Sequence, residues 1–128
     1  MSKKVISTDK AVKPLGPYSQ AVRAGDFLFV SGTVPVNPST GKVVEGRIEV
    51  QTAQVMDNIR AILEATGASL TDLVKVTVHL KDAKDWPAMN EVYRGYFKEY
   101  LPARMAFEGK PPLDFLVDID AIAYLPEE

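Results

Sequence analysis

Arg104 is the residue whose setting most favours chemistry. It follows Pro102 and precedes Met105, Ala106 and Phe107, where a helical pattern gives way to a strand pattern. A guanidinium held at such a junction offers a planar fork that matches a carboxylate through two parallel hydrogen bonds, which lysine cannot imitate. The same group can also close a structural ion pair with one of the 17 acidic residues. Among these, Asp118 and Asp120 project from one face of the final strand, because side chains repeat every two residues. On a partly buried face, such a carboxylate has a raised pKa and can shuttle protons; on an exposed edge it is simply solvated.

The single histidine, His79, falls on the polar face of a strand between Lys75 and Lys81. It reads as a solvated or interface residue, and titration near neutrality is its only claim to catalysis. With one histidine and no cysteine, neither a transition-metal site nor a disulfide or thiolate nucleophile is expected. No phosphate-cradling glycine loop, Gly-x-Ser-x-Gly elbow or helical histidine pair occurs. Tyr18, Ser31-Gly32 and Asn90 are generic polar positions when read singly.

The elements that must position these groups follow from periodicity. A short strand is expected near Lys4–Ser7, and Tyr18–Val30 reads as two strands joined at Ala24-Gly25-Asp26. Pro35 to Gly41 has loop chemistry and reads as an exposed excursion. From Glu49 to Thr66, Thr52, Val55, Met56, Ile59, Ile62 and Leu63 recur at spacings of three and four, predicting a helix stopped by Gly67. Val74, Val76, Val78 and Leu80 alternate with polar residues as a strand. Asp85 is placed to cap a second helix, whose aromatic side runs from Trp86 to Tyr100 and ends at Pro102. The last strand, Phe115 to Tyr124, has one apolar face and one mixed face carrying Leu116 and Ile122. Two helices cover one side of a sheet, so the mixed face calls for another copy of the chain in cyclic symmetry.

A length of 128 residues without repeats or linker-like composition predicts one α+β domain over residues 1–128. The net charge of −2 argues against a nucleic-acid partner. The absence of a long apolar run predicts no membrane partner, no signal peptide and a cytoplasmic location.

Together, Pro17-Tyr18-Ser19-Gln20-Ala21, Val30-Ser31-Gly32, Pro35 to Gly41, Asn58-Ile59, Val74 to Val78, Met89 to Tyr93 and Pro102-Ala103-Arg104 resemble the Rid (reactive intermediate deaminase, YjgF-like) family across nearly the whole chain. The resemblance implies a chorismate-mutase-like fold, with a mixed sheet carrying two helices on one face, and a homotrimer with clefts between subunits. It also implies cofactor-independent hydrolysis of 2-aminoacrylate-type enamines and imines to 2-keto acids and ammonia. By position, Arg104 matches the carboxylate-binding arginine, and the Ala106 carbonyl matches the acceptor for the substrate nitrogen. Tyr18, Ser31, Gly32 and Asn90 match cleft residues, and Asp120 falls at the water-orienting glutamate. The chain departs from the family pattern at Met105, where a small residue is common, at Asp118-Ile119-Asp120, where Glu-Ile-Glu is familiar, and in a shorter Gly109–Leu113 connection. The departures at Met105 and Asp120 leave a non-catalytic metabolite-binding or regulatory trimer as an alternative, and the resemblance also implies translation inhibition by RNA cleavage, which the acidic charge disfavours.

Overall fold

A computed structural model describes residues 3–126. Eight strands and two helices run in chain order: β1 (Lys3–Ile6), β2 (Ala21–Ala24), β3 (Phe27–Thr33), β4 (Val36–Asn37), β5 (Lys42–Val43), α1 (Ile48–Glu64), β6 (Leu73–Leu80), α2 (Trp86–Arg94), β7 (Ala103–Glu108) and β8 (Val117–Tyr124). Six strands form one sheet in the order β1-β2-β3-β8-β6-β7, and β4 pairs with β5 as a separate ribbon. Every pairing in the large sheet is antiparallel except β6 with β7. A parallel neighbour needs a crossover, and α2 supplies it. β7 therefore ends at the sheet edge, with Arg104 level with Val76 on the helix-covered side.

The helices bury this side. Val55, Met56, Ile59 and Leu63 of α1 and Met89 of α2 are fully buried against Leu28, Val76, Val78, Ile119 and Ala121. Burying each such side chain contributes about 1.5–3 kcal/mol before entropy is counted. A smaller cluster of Val12, Val34, Val36 and Phe115 fills the end of the sheet near the β3–β4 connection. Two buried amides pin the loops there. Asn58 donates to the Val34 and Val36 carbonyls at 3.1 and 3.0 Å, and Gln20 donates to the Val12 carbonyl at 2.7 Å. Both tie backbone carbonyls of loops that carry little regular structure to the body of the domain, Val34 O accepting from the Val36 amide as well.

Several expectations need correction. A chorismate-mutase-like fold does not describe this chain: it is a mixed α+β sandwich with a six-stranded sheet and two helices. The second helix stops at Arg94 with Gly95 as its cap, so Tyr96, Phe97 and Tyr100 lie beyond it. Asp85 makes no capping hydrogen bond, while Asp82 accepts from the Lys84 amide one turn earlier. Val74 is exposed because the β6–β8 register shifts between Leu73 and Lys75, and Leu73 takes the buried position instead. The Pro35–Gly41 segment is not wholly exposed, since Val36 inserts into the smaller core.

The other face of the sheet is bare. Phe27 and Phe29 of β3, Tyr124 of β8, and Met105 and Phe107 of β7 are each between 42 and 59% exposed. Phe27, Phe29 and Tyr124 lie ring against ring, and exposed aromatic surface of this kind on a sheet marks an interaction face.

Candidate active site

The polar residues singled out in the sequence gather in two pockets. Asn90, Tyr93, Arg94, Leu101, Pro102 and Arg104 line the first, with a volume of about 290 Å³. Tyr18, Ser31, Gly32, Val34, Pro112 and Asp118 line the second, of about 330 Å³. Both volumes suit a small metabolite rather than a polymer.

In the first pocket Arg104 projects from edge strand β7 toward α2. Its guanidinium lies 5.0 Å from the Trp86 ring centre and 4.9 Å from that of Tyr93, and Nη1 is 4.0 Å from the Met89 sulfur. Among the described residues no carboxylate pairs with it, so the alternative of a structural ion pair does not hold. Two aromatic rings at cation–π distance attract the cation without using a carboxylate, which leaves its N–H groups available to an anion. Burial pushes the Tyr93 hydroxyl up to about 12, with Arg104 opposing, so the phenol remains neutral. The Tyr93 hydroxyl and the Asn90 side-chain oxygen are both buried without a hydrogen-bond partner. Buried polar atoms of this kind are uncommon, and two beside one unpaired cation make this pocket a candidate ligand site. Ala106 lies two residues along β7, a strand paired on one side only, so backbone groups on its free edge are open.

The second pocket owes its shape to a bulge. β3 and β8 pair at Val30↔Ala121 and again at Thr33↔Ile119, so Ser31 and Gly32 together oppose Asp120. Bulges of this type re-aim side chains and recur beside active sites. The Ser31 hydroxyl donates to the Ser19 carbonyl at 2.6 Å, and Tyr18 accepts from the Leu15 amide at 3.1 Å. Asp118, not Asp120, is the carboxylate of this pocket. Its side chain is 18% exposed, whereas Asp120 faces solvent. Burial raises the Asp118 pKa above 3.8; the His79 contact opposes that shift and the Asp120 charge adds to it. The short connection before β8 closes through consecutive left-handed residues, Leu113 and Asp114, with φ of 56° and 62°.

The sequence reasoning therefore located Tyr18, Ser31, Gly32, Asn90 and Arg104 in pockets, but spread over two of them. It passed over Tyr93 and Trp86 as cradle residues, although their spacing of seven on a helix already put them on one face. It also passed over the His79–Asp118 contact, for which only strand register carries a signal.

The molecule is thus an α+β sandwich with an uncovered sheet face and an aromatic-clamped arginine in a small pocket. Residues 8–125 match the family described as Endoribonuclease L-PSP, and the chain belongs to this family, whose members include the Rid and YjgF-like proteins. A RutC family protein of Pyrococcus abyssi is 56% identical over 125 residues, covering 97% of this chain and 98% of that one. A Mus musculus protein named 2-iminobutanoate/2-iminopropanoate deaminase is 42% identical over 122 residues, covering 94% of this chain and 90% of its own. The crystal structure of RidA from an Antarctic Psychrobacter matches with a TM-score of 0.92 at 41% identity, over 95% of this chain and 99% of that one. These neighbours replace the chorismate-mutase-like expectation with the RidA/YjgF sandwich. Among the described residues no helix is long and apolar enough to cross a membrane.

Proposed function

We propose that this protein hydrolyses 2-imino acids and their enamine tautomers to 2-keto acids and ammonia. The carrying observation is Arg104, a partly buried cation clamped between Trp86 and Tyr93 with no carboxylate of its own chain beside it. Likeness over nearly the full chain to a mouse protein named for this reaction supports the reading.

Hydrolysis of an imine requires an anchored substrate, an aimed water and a place for its proton. In the proposed course Arg104 binds the substrate carboxylate and the Ala106 carbonyl accepts from the iminium nitrogen. Water attacks the imine carbon, the C–O bond forms, the C=N electron pair moves onto nitrogen, and one water proton passes to a carboxylate. That proton then goes to the amine nitrogen, the C–N bond breaks as the hydroxyl proton passes to the same carboxylate, and ammonia leaves, taking that last proton as ammonium. Asp118 is better placed than Asp120 to hold the proton, because it lines the pocket of Tyr18, Ser31 and Gly32.

This assignment needs the two pockets to meet. We propose that the exposed sheet face packs against identical copies in a trimer, bringing the Arg104 pocket of one subunit to the Tyr18 pocket of its neighbour. The aromatic face formed by Phe27, Phe29 and Tyr124 supplies the apolar surface for such an interface.

The test couples a threonine dehydratase to the protein and follows 2-oxobutanoate release in a buffer free of amines. Acceleration proportional to protein concentration, lost in Arg104→Ala while its thermal melt is kept, is the expected result. No acceleration by the intact protein overturns the reading.

A further inference from the structure

We infer that His79 is a positioning residue for this hydrolysis: it holds one oxygen of Asp118 and leaves the other turned toward Gly32 and the pocket to receive the water proton. The inference rests on the proposed function and concerns a side chain to which that function assigns no part.

His79 and Asp118 stand directly opposite each other on β6 and β8. Nδ1 of His79 is 3.3 Å from Oδ2 of Asp118, and the two side chains are 19 and 18% exposed. The other oxygen, Oδ1, lies 3.7 Å from the point a Cβ on Gly32 would occupy. Gly32 therefore leaves open the approach to the free oxygen, on the pocket side of the carboxylate. A carboxylate with both oxygens free rotates about its terminal torsion, while one tethered at Oδ2 presents Oδ1 in a single direction.

The imidazole is itself fixed. It stacks on Phe107 with ring centres 4.6 Å apart and planes 15° from parallel. At its Nε2 edge the chain passes so close that a Cβ at Gly109 would fall 2.6 Å from that nitrogen. Nε2 is buried without a partner, so the contact of this ring with the carboxylate is made through Nδ1. This arrangement of Phe107, His79 and Gly109 packs one ring against one carboxylate oxygen.

The other charged and titratable groups around the pair are few. Asp120 follows on β8, and Lys75 precedes His79 on β6. Lys81, just beyond β6, is paired with Asp114; Glu108 of β7 accepts from the Ala83 amide; Tyr18 lies across the pocket. Of these, His79 is the partner that opposes the effect of burial on Asp118.

The experiment compares the intact chain with His79→Phe and His79→Asn. In His79→Phe, kcat for 2-iminobutanoate should fall about tenfold, a part of the roughly 100- to 10,000-fold a positioned proton acceptor supplies. KM should hold, since Arg104 is untouched, and the acid limb of kcat/KM should move to higher pH. His79→Asn, which keeps a side-chain donor, should recover most of kcat. In parallel, the carboxyl carbon of Asp118, followed by NMR, should titrate at higher pH in His79→Phe than in the parent. An active parent with an unmoved pH profile and unmoved Asp118 titration in His79→Phe overturns this inference alone. So does a loss equal at every pH and matched by loss of 2-oxobutanoate affinity, which would mark general damage. An inactive parent overturns the proposed function and this inference with it.

Discussion

The Arg104 guanidinium lies 5.0 Å from the centre of the Trp86 ring, and that ring belongs to the only tryptophan in the chain. The proposed anchor and the one strong fluorophore are therefore a single unit. Titration with 2-oxobutanoate should change the tryptophan emission saturably. Arg104→Lys should weaken the midpoint by at least about 30-fold, the equivalent of roughly 2 kcal/mol for a broken charge pair. An unchanged midpoint in Arg104→Lys would remove the paired-contact argument.

Asp118 supplies a prediction with a definite sign. Burial raises its pKa in the folded chain above the ordinary 3.8, so the folded state holds this proton more tightly than the unfolded state does. The group therefore costs no stability below about pH 3.8 and increasingly destabilises the fold as pH rises through its raised folded value. Asp118→Asn should melt at a higher temperature than the parent at pH 7, with the gap closing toward pH 4. It should also lose most imine hydrolysis. A gap that widens on acidification would reverse the assignment of burial as the dominant effect.

Much of this was readable from the residues themselves. The alternation in Val117–Tyr124 puts Val117, Ile119, Ala121 and Ala123 inside, as the sequence pattern requires. The apolar stripe of Ile48–Glu64 likewise faces the core. What the pattern could not supply was pairing. Ser31 and Gly32 share one partner position on β8, and Leu73 displaces Val74 from the buried side, because bulges depend on two strands at once. The His79–Asp118 contact depends on the same pairing, and Arg104 reads from spacing alone as a structural ion-pair partner before a carboxylate anchor, whereas in the folded chain aromatic rings stand beside it.

The bare sheet face predicts assembly. Phe29 is 44% exposed and pairs with Ile122 at the middle of that face. The chain should elute from size-exclusion columns, with light scattering, at three times the mass of 14.1 kDa. Phe29→Glu should elute as a monomer and lose hydrolysis, since each site would lack its second half. A monomeric parent with full activity would contradict the shared-site arrangement.

Asn58 is 1% exposed and bonds two loop carbonyls beside the second pocket. Asn58→Ala takes the side-chain donor from the Val36 carbonyl and leaves the Val34 carbonyl with the Val36 amide alone, and should lower urea-unfolding stability by about 1–3 kcal/mol. A loss below 1 kcal/mol would show that these loops are held by packing of Val34, Val36 and Phe115 alone.

The central claim is that Arg104 receives the substrate carboxylate, and a crystal structure of the chain soaked with 2-oxobutanoate tests it most directly. The carboxylate should sit on the N–H groups of Arg104, with Trp86 and Tyr93 still beside that cation and the keto carbon turned toward Asp118 of an adjoining subunit. A ligand bound elsewhere, with Arg104 still contacting only its two rings, would contradict the account.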